Sequence, residues 1–423
     1  MNYVSSNEQL KNELLDRFIK YTKVWSESDT FAADSGKMPS TDRQFDLAKK
    51  LSDELILLGL CDVQVTEFCY VHAVLKATKG FEKVPSMCWL AHLDTVDEVT
   101  GKDVKPIVHL NYDGEIIDLQ NGIRLDSHED SYLAQAAAER DTLITSDGTT
   151  LLGADDKAGV AEIMTALQYL VGHPEINHGQ IEIIFSPDEE TGHGMDKVPL
   201  HLLKSKFAYT VDGGHLGQLE TECFNAYSAF ITFTGKACHT GDARKNGMIN
   251  AICMASRFVE NLPANERPET SCGYEGFFAV MKIEGSIEKA SISMIVRDFS
   301  ESGMKKRLSY IEKMATVVSE SFGGSVHVEF KEQYKNMKSV MDKNPFVIEK
   351  LISAYKESGV VPEFVPIRGG TDGSRLTELG IPTPNIFTGG HNYHSRSEWA
   401  SLSQMCLATD VLINLAIQVV KKE

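Results

Sequence analysis

The stretch GADDKAGVAEIMTALQYL at residues 153–170 begins with turn and cap residues and continues with apolar side chains at helical spacing. Val160, Met164, Leu167 and Val171 recur every three or four residues, which places them on one side of an α-helix. The segment therefore predicts a long helix with one apolar face directed at the rest of the fold.

Short apolar runs on both sides of this helix are typical of buried strands. Strands are predicted at Met87–Ala91, Ile181–Phe185 and Phe207–Val211. Two earlier helices are expected, one from the periodicity between Leu10 and Ile19 and one over about Thr41–Leu58. Strands that alternate with helices imply a mostly parallel sheet covered on both faces, which is an α/β domain.

The pattern changes near residue 225, and near residue 334 it returns to α/β, ending in the strand-like PTPNIFTGG and a last helix. Between these points the predicted elements are, in order, Tyr227–Thr234, Ile249–Leu262, Phe277–Ile283, Ala290–Phe299, Met304–Ser321 and Val326–Phe330. Their β-α-β-β-α-β order is the split βαβ plan of a small α+β domain. We predict a main α/β domain at 1–224 and 334–423, with an inserted lid domain at 225–333.

Composition limits the classes of function. The 423 residues carry a formal net charge of −18, which argues against a nucleic-acid partner. No apolar run approaches the roughly 20 residues that span a bilayer, and the start MNYVSSNEQLKNELL lacks the pattern of a secretory signal. None of the eight cysteines has C-x-x-C or zinc-finger spacing. We expect a cytoplasmic protein with no membrane partner, and any metal held by His, Asp and Glu.

Histidine and acidic side chains follow the predicted strands where each strand ends. The motif AHLDT places His92 and Asp94 two residues apart, so both side chains can point the same way. Ligands of open α/β sheets bind at that edge. A metal-bound histidine needs its second ring nitrogen anchored, which Asp94 could do. A solvated loop pair is the alternative interpretation.

Two further motifs contain adjacent acids. In LLGADDKAG, Asp155 and Asp156 precede a helix, where carboxylates could bind a metal or simply cap the helix and complement its dipole. In SPDEETG, the three acids Asp188, Glu189 and Glu190 follow a buried strand. A functional site would use one of them as a metal ligand and its neighbour as a general base. The alternative is an exposed acidic turn.

The last candidates are Asp212 in YTVDGG, which could also belong to a simple turn, and His391 and His394 in a glycine-rich loop, which could also be surface residues. Five such strand-end sites in one chain are not independent accidents. Two histidines and three carboxylates suit a pair of divalent ions, zinc first and then manganese or cobalt. In two-metal hydrolases such ions lie about 3.5–4 Å apart, bridged by a carboxylate and a water.

The motifs AHLDT, LLGADDKAG, SPDEETG, YTVDGG, IRGGTDG and FTGGHNYHSRSEW together closely resemble the M20 metallopeptidases, and among these the tripeptide aminopeptidases. The resemblance covers nearly the whole chain and includes GYEGFF at residues 273–278. It implies a zinc-peptidase-like α/β catalytic domain with an inserted ferredoxin-like lid and dimerisation domain. The implied activity is release of the N-terminal residue from tripeptides.

The resemblance also implies a ligand set for two divalent ions per subunit, most simply Zn²⁺: His92, Asp155, Glu190, Asp212 and His394. Asp155 would bridge the two ions. His394 is preferred over His391 because the family keeps a histidine four residues before a glutamate, here Glu398. Glu189 would be the general base on the bridging water, and Asp94 would orient His92.

Three residues are further candidates for contact with the substrate or the transition state. His239 would reach the oxyanion from a partner subunit, which implies a homodimer formed through the lids. Arg297 and Arg368 are candidate clamps for the substrate carboxylate, and each could instead form a structural salt bridge. The chain departs from the family pattern at Thr240, where proline is usual, and at Tyr227, where a small residue is usual. Both departures bear on substrate preference and leave the metal chemistry alone.

Two alternative functions stay open at this point. Another M20 activity, such as a dipeptidase, a carboxypeptidase or an N-acyl-amino-acid deacylase, would share the same metal set. A metal-binding or interaction protein without activity could share the fold. Glu189 argues against that second alternative, because a site that only binds metal needs no general base.

Overall fold

The computed structural model describes residues 1–421 and consists of two compact units. Unit 1 comprises Met1–Thr221, Val340–Val365 and the chain from Thr371 onward, and unit 2 comprises Glu222–Ser339 and Pro366–Gly370. The expected α/β class with a second α+β part is confirmed.

Within residues 1–421 the helices are α1 (Glu8–Thr22), α2 (Thr30–Asp34), α3 (Gln44–Leu57), α4 (Ser131–Ala138), α5 (Ala154–Gly172), α6 (Ala243–Asn246), α7 (Ala251–Glu260), α8 (Glu301–Phe322), α9 (Lys338–Met341), α10 (Pro345–Glu357), α11 (Asp372–Glu378) and α12 (Leu402–Val420). The strands are β1 (Cys61–Val65), β2 (Val71–Leu75), β3 (Met87–His92), β4 (Ile107–His109), β5 (Ile117–Asp118), β6 (Arg124–Leu125), β7 (Leu143–Thr145), β8 (Ile181–Ser186), β9 (Phe207–Gly213), β10 (Gln218–Glu220), β11 (Asn225–Thr234), β12 (Phe277–Gly285), β13 (Lys289–Asp298), β14 (Ser325–Tyr334), β15 (Glu363–Phe364), β16 (Asn385–Phe387), β17 (Gly390–His391) and β18 (Trp399–Ser401).

Unit 1 is built on an eight-stranded sheet with the order β1-β2-β8-β3-β9-β16-β10-β15. Its four central neighbours, β8, β3, β9 and β16, run parallel to one another. Every residue of β3 and β8 is buried, as expected for strands covered on both faces. The carboxyl ends of these four strands therefore meet at one edge, where ligands of such sheets bind.

Helix α5 packs against β3 and β9 on one side and against α1 and α12 on the other. The predicted helix is confirmed, and 14 of its 19 residues are buried. Val171 lies in the last turn and is 39% exposed.

Within the described residues, α12 is long and apolar enough to cross a membrane by length and composition. In this structure 72% of its apolar segment is buried inside the protein, where it packs against α5 and α10. It is a core helix of unit 1.

Unit 2 has the element order β11-α7-β12-β13-α8-β14, so the split βαβ plan is confirmed. Its sheet has the order β12-β13-β11-β14, and every neighbouring pair is antiparallel. Helices α7 and α8 pack on this sheet around a buried core that includes Ile231, Phe233, Met254, Phe258, Met294 and Ile311.

Residues 366–370 belong to unit 2, although the sequence assigned them to the main domain. The Ile367 N–H donates to the carbonyl of Glu222 at 2.9 Å, and the Arg368 guanidinium donates to the carbonyls of Gly273 and Glu275 at 2.7 and 2.9 Å. These contacts join segments about 90 to 150 residues apart in the chain, which no local pattern reveals.

Candidate metal centre

Three of the candidate ligands lie at or just after the carboxyl ends of β3, β8 and β9, and two come from other elements. His92 is the last residue of β3, and Asp212 lies one residue before the end of β9. Glu190 follows β8 in a single 3-10 turn at Glu189–Thr191. Asp155 stands at the start of α5, and His394 lies in the loop after β17. Elements that are distant in sequence thus bring five side chains to one edge of the sheet.

Asp155 lies between the two histidines and offers each a separate oxygen. Its Oδ1 is 2.9 Å from His92 Nε2, and its Oδ2 is 3.2 Å from His394 Nε2. Asp212 Oδ1 lies 3.6 Å from His92 Nε2, and Glu190 Oε2 lies 3.1 Å from His394 Nε2. Ligands of one tetrahedral zinc ion lie about 3.4 Å from each other. The set therefore suits two neighbouring ions that share Asp155.

Burial and crowding perturb the acids of this cluster. Burial and Asp155 raise the pKa of Glu190 to about 8, and burial raises the pKa of Asp212 to about 6. The pKa of Glu189 is raised well above its usual value by burial and by Asp212. Hydrogen bonds to Asp155 and Glu190 raise the pKa of His394 to about 11. Burial is the largest cause of the raised pKa values of Glu189, Glu190 and Asp212, because it penalises the charged form of a carboxyl group, and neighbouring carboxylates add to it.

The donor set fits a pair of divalent cations. The cluster contains the carboxylates of Asp155, Asp156, Glu189, Glu190 and Asp212. Two imidazolium rings could offset two of the five negative charges of these carboxylates, whereas two divalent ions supply four positive charges. Glu190 Oε1 is buried without a hydrogen-bond partner, and a cation would satisfy it. His92 Nδ1 lies 3.1 Å from the carbonyl of Asp94, so it donates there and leaves Nε2 free as a ligand atom.

The adjacent acids Asp155 and Asp156 have different surroundings. Asp156 accepts the Gly159 N–H at Oδ1 and the His92 N–H at Oδ2, both at 3.1 Å. Asp156 therefore caps α5, whereas Asp155 faces the histidines. Of the two interpretations of the motif, helix capping applies to Asp156 and metal binding is open to Asp155. A Cβ on Gly159 would come within 1.9 Å of the Val211 carbonyl, so glycine is needed for α5 to lie this close to β9.

Asp94 contacts both His92, which it was predicted to orient, and the turn that follows β8. Its carboxylate is 3.5 Å from His92 Nδ1. It also accepts the backbone N–H of Glu189 at 3.0 Å and that of Glu190 at 3.3 Å. Asp94 is fully buried, so these bonds are shielded from water. One carboxylate thus connects the end of β3 to the turn that follows β8.

Glu398, used above only as a sequence marker for His394, is a structural part of the site. Its buried carboxylate accepts the N–H groups of Leu152 and Gly153, both at 2.7 Å, and that of Asp155 at 3.2 Å. Glu398 thereby holds the turn that presents Asp155. No sequence signal could have revealed this, because the partners lie 243 to 246 residues away.

His391 is directed away from the ligand cluster. Its Nδ1 lies 3.0 Å from His215 Nδ1, its Nε2 lies 3.0 Å from Gln404 Oε1, and its ring stacks on Trp399. Both ring nitrogens are therefore engaged within unit 1. His394 is the histidine of this loop that faces the carboxylates.

The predicted substrate-binding residues lie in unit 2. His239 is exposed, and its Nδ1 accepts the Gly241 N–H at 3.2 Å. Arg297 is buried, and its Nη1 donates to the carbonyls of Tyr227 and Val296 at 3.3 and 3.1 Å. Arg368 donates to the carbonyl and hydroxyl oxygens of Ser271 and to the carbonyls of Gly273 and Glu275. Within residues 1–421 neither arginine forms a salt bridge, so the structural alternative considered for them does not hold in that form.

Comparisons with known proteins support the resemblance over nearly the whole chain. The model of peptidase family M20/M25/M40 matches residues 146–418. A Peptidase T of Clostridium perfringens (strain SM101 / Type A) is 45% identical over 401 residues, 95% of this chain and 97% of the relative.

Solved structures show the same fold. The aminopeptidase PepT of Bacillus cereus aligns with a TM-score of 0.76 at 22% identity, covering 97% of this chain and 99% of that one. A tripeptidase of Staphylococcus aureus aligns with a TM-score of 0.75 at 21% identity, covering 97% and 98%. The family resemblance and the fold class are confirmed.

The contacts of Glu398 generate a prediction. Glu398→Ala should weaken zinc binding about 10- to 100-fold, since it releases the turn that presents Asp155. Zinc affinity is measured by competition with a chromophoric chelator. Glu182→Ala is the matched control, because the buried Glu182 carboxylate accepts the N–H groups of Lys204 and Ser205 in the same unit. It should lower the melting temperature and leave zinc affinity within about twofold. Equal zinc affinities in the two variants would contradict this assignment.

Proposed function

The chain belongs to peptidase family M20/M25/M40, and on that basis we propose that it is a two-metal aminopeptidase that releases the N-terminal residue of tripeptides. The observation that carries the proposal is the position of Asp155 between His92 and His394, with Glu190 against the same His394 nitrogen. Relatives named Peptidase T, and neighbours whose names include aminopeptidase and tripeptidase, support the substrate class.

The ligand assignment is part of the proposal: His92, Asp155, Glu190, Asp212 and His394 hold two zinc ions. When bound, the ions activate a water and polarise the scissile carbonyl. Asp155 fixes the spacing of the two halves of the site, because its oxygens are directed at different histidines. Asp94 keeps the His92 ring and the glutamate turn in one relative position.

Glu189 is the proposed general base. Its backbone N–H is held by Asp94, while among residues 1–421 its carboxylate has no hydrogen-bond partner. A carboxylate oxygen of Glu189 takes a proton from the attacking water and then delivers it to the nitrogen of the leaving amine. Burial and neighbouring acids raise its pKa, which increases the affinity of this oxygen for the proton it must accept.

Unit 2 is the proposed lid, with Arg297 as the clamp for the substrate carboxylate. The Arg297 Nη1 atom serves two carbonyls, which leaves Nη2 and Nε for a ligand. Arg368 has both Nη atoms engaged with residues 271–275. Both guanidinium groups lie over aromatic rings, so the rings do not distinguish the two arginines. Of the two arginines, Arg297 is therefore better placed to read a carboxylate in the bidentate manner.

We further propose a cytoplasmic homodimer formed through unit 2. None of the eight cysteines forms a disulfide bond within residues 1–421, as expected in a reducing compartment. The family resemblance implies that His239 serves the site of a partner subunit. Its exposed ring has one nitrogen engaged locally, which leaves Nε2 available to another chain.

Substituting each of the two adjacent glutamates in turn separates their roles. Glu189→Gln should lower kcat about 10²- to 10⁴-fold with both metal ions retained, because it removes proton transfer and no ligand. Glu190→Ala, the comparison variant, should lose metal. Elemental analysis of the purified proteins together with kcat decides the case. Full metal in Glu190→Ala and depleted metal in Glu189→Gln would reverse the two assignments.

A free substrate amine should be required. The acidic cluster attracts an ammonium group, and an N-acetylated tripeptide loses that charge. We expect kcat/KM to fall at least about 100-fold on acetylation, measured on one tripeptide sequence in both forms. Dipeptides and N-acyl amino acids serve as comparison substrates. Equal kcat/KM for the free and acetylated peptides would favour the carboxypeptidase or deacylase alternative.

Catalysis across the dimer can be tested by complementation. His239→Ala and Glu189→Gln are co-expressed with different tags, and the mixed dimer is purified through both. If His239 acts on its partner, one site of the mixed dimer carries both changes and the other carries neither, so about half of the wild-type activity returns. If His239 acts within its own chain, each site has one defect and activity stays low. Wild type carrying both tags is the control.

A further inference from the structure

The turn that carries Glu189 and Glu190 is held by side chains from elsewhere in the chain. The Asp188 N–H donates to Gln44 Oε1 at 3.1 Å, and the next two N–H groups donate to the Asp94 carboxylate at 3.0 and 3.3 Å. Three consecutive backbone donors thus bind three side-chain oxygens. The position of this backbone decides where the two glutamate carboxylates point.

Gln44 forms two hydrogen bonds with Asp188. Besides accepting the backbone N–H, its Nε2 donates to Asp188 Oδ1 at 2.7 Å. Ser40 completes the contact, donating its N–H to Asp188 Oδ2 at 2.7 Å and its hydroxyl to Oδ1 at 2.5 Å. The exposed fractions of Gln44, Ser40 and Asp188 are 0%, 1% and 0%, so the network is closed to water.

The conformation of Asp188 requires this support. Its φ is +57°, in the left-handed region that residues other than glycine adopt at a cost. A primary amide can donate and accept at once, so Gln44 can hold the backbone and the carboxylate of the same residue. An apolar side chain of the same size would fill the space and leave the buried Asp188 N–H without a partner.

We propose that Gln44, together with Ser40, is a positioning residue that acts through Asp188 to aim Glu189 and Glu190 at the metal centre. The proposal rests on the function proposed above for the two glutamates. Gln44 begins α3 and lies 144 residues from Asp188, so the start of that helix is part of the catalytic apparatus. Asp94 holds the turn from the β3 side and Gln44 from the α3 side.

Gln44→Met tests this, because methionine keeps the volume and neither donates nor accepts strongly. In the metal-loaded enzyme kcat should fall about 10- to 100-fold, with KM changed less than about threefold. Hydrogen exchange of a peptide spanning residues 186–192 should accelerate roughly tenfold. Gln168→Met is the matched control, since Gln168 also accepts one bond, from Arg17, and donates another, to Glu13, within unit 1. It should leave both measurements near wild type.

A rescue experiment separates positioning from general stability. Gln44→Glu sets a second carboxylate against that of Asp188 and should lower kcat by a similar factor. With Asp188→Asn added, the amide stands at position 188 and the carboxylate at position 44, so a donor again faces an acceptor. The kcat of this double variant should be at least about tenfold higher than that of Gln44→Glu alone. A lasting loss in the double variant would overturn the proposal.

The outcomes distinguish this proposal from the proposed function. If the wild-type enzyme left tripeptides uncut, the function would fail, while hydrogen exchange at residues 186–192 would still report on the turn. Unchanged exchange in Gln44→Met would overturn the positioning role even in a fully active tripeptidase. Equal kcat losses in Gln44→Met and Gln168→Met would also overturn it, since the effect would then be general destabilisation.

Discussion

Repulsion among buried carboxylates is the constraint on which the rest of this structure depends. Five acids meet at the end of four parallel strands, and the pKa values of Glu190 and Asp212 are raised to about 8 and about 6. Such a cluster is stable with its charges offset, and the two histidines and a pair of divalent ions can supply the offset. The sheet accommodates this arrangement because its strand ends place polar groups beyond the buried core.

The fold holds these like charges together through backbone amides. Asp94 accepts the N–H groups of Glu189 and Glu190, and Gln44 accepts that of Asp188. Glu398 accepts three N–H groups of the turn at Leu152–Asp155. Each bond fixes the main chain at or near a proposed site residue and leaves the side chain of that residue out of the contact. Since the holding groups come from different parts of unit 1, ligand geometry and global folding are coupled.

Much of the fold could be predicted because its periodicities are strong. The strands of the parallel centre and the β-α-β-β-α-β order of unit 2 were predicted within a few residues of their bounds. Two features were not predictable from local patterns. Helix α5 is buried over most of its residues because strands and helices both pack against it, and residues 366–370 join unit 2 through contacts with Glu222 and the 271–275 segment.

By itself the sequence determined the fold class, because periodicity is visible along one strand or helix, and the family, because its motifs resemble those of known relatives. The tertiary structure decided how neighbours divide their roles. Asp155 and Asp156 share one local context, yet one faces two histidines and the other caps α5. The positions of Gln44 and Glu398 at the site were also decided there, since their partners lie 144 and more than 240 residues away. Hydrogen bonds act over about 3 Å in space, and only the folded chain determines which distant residues come that close.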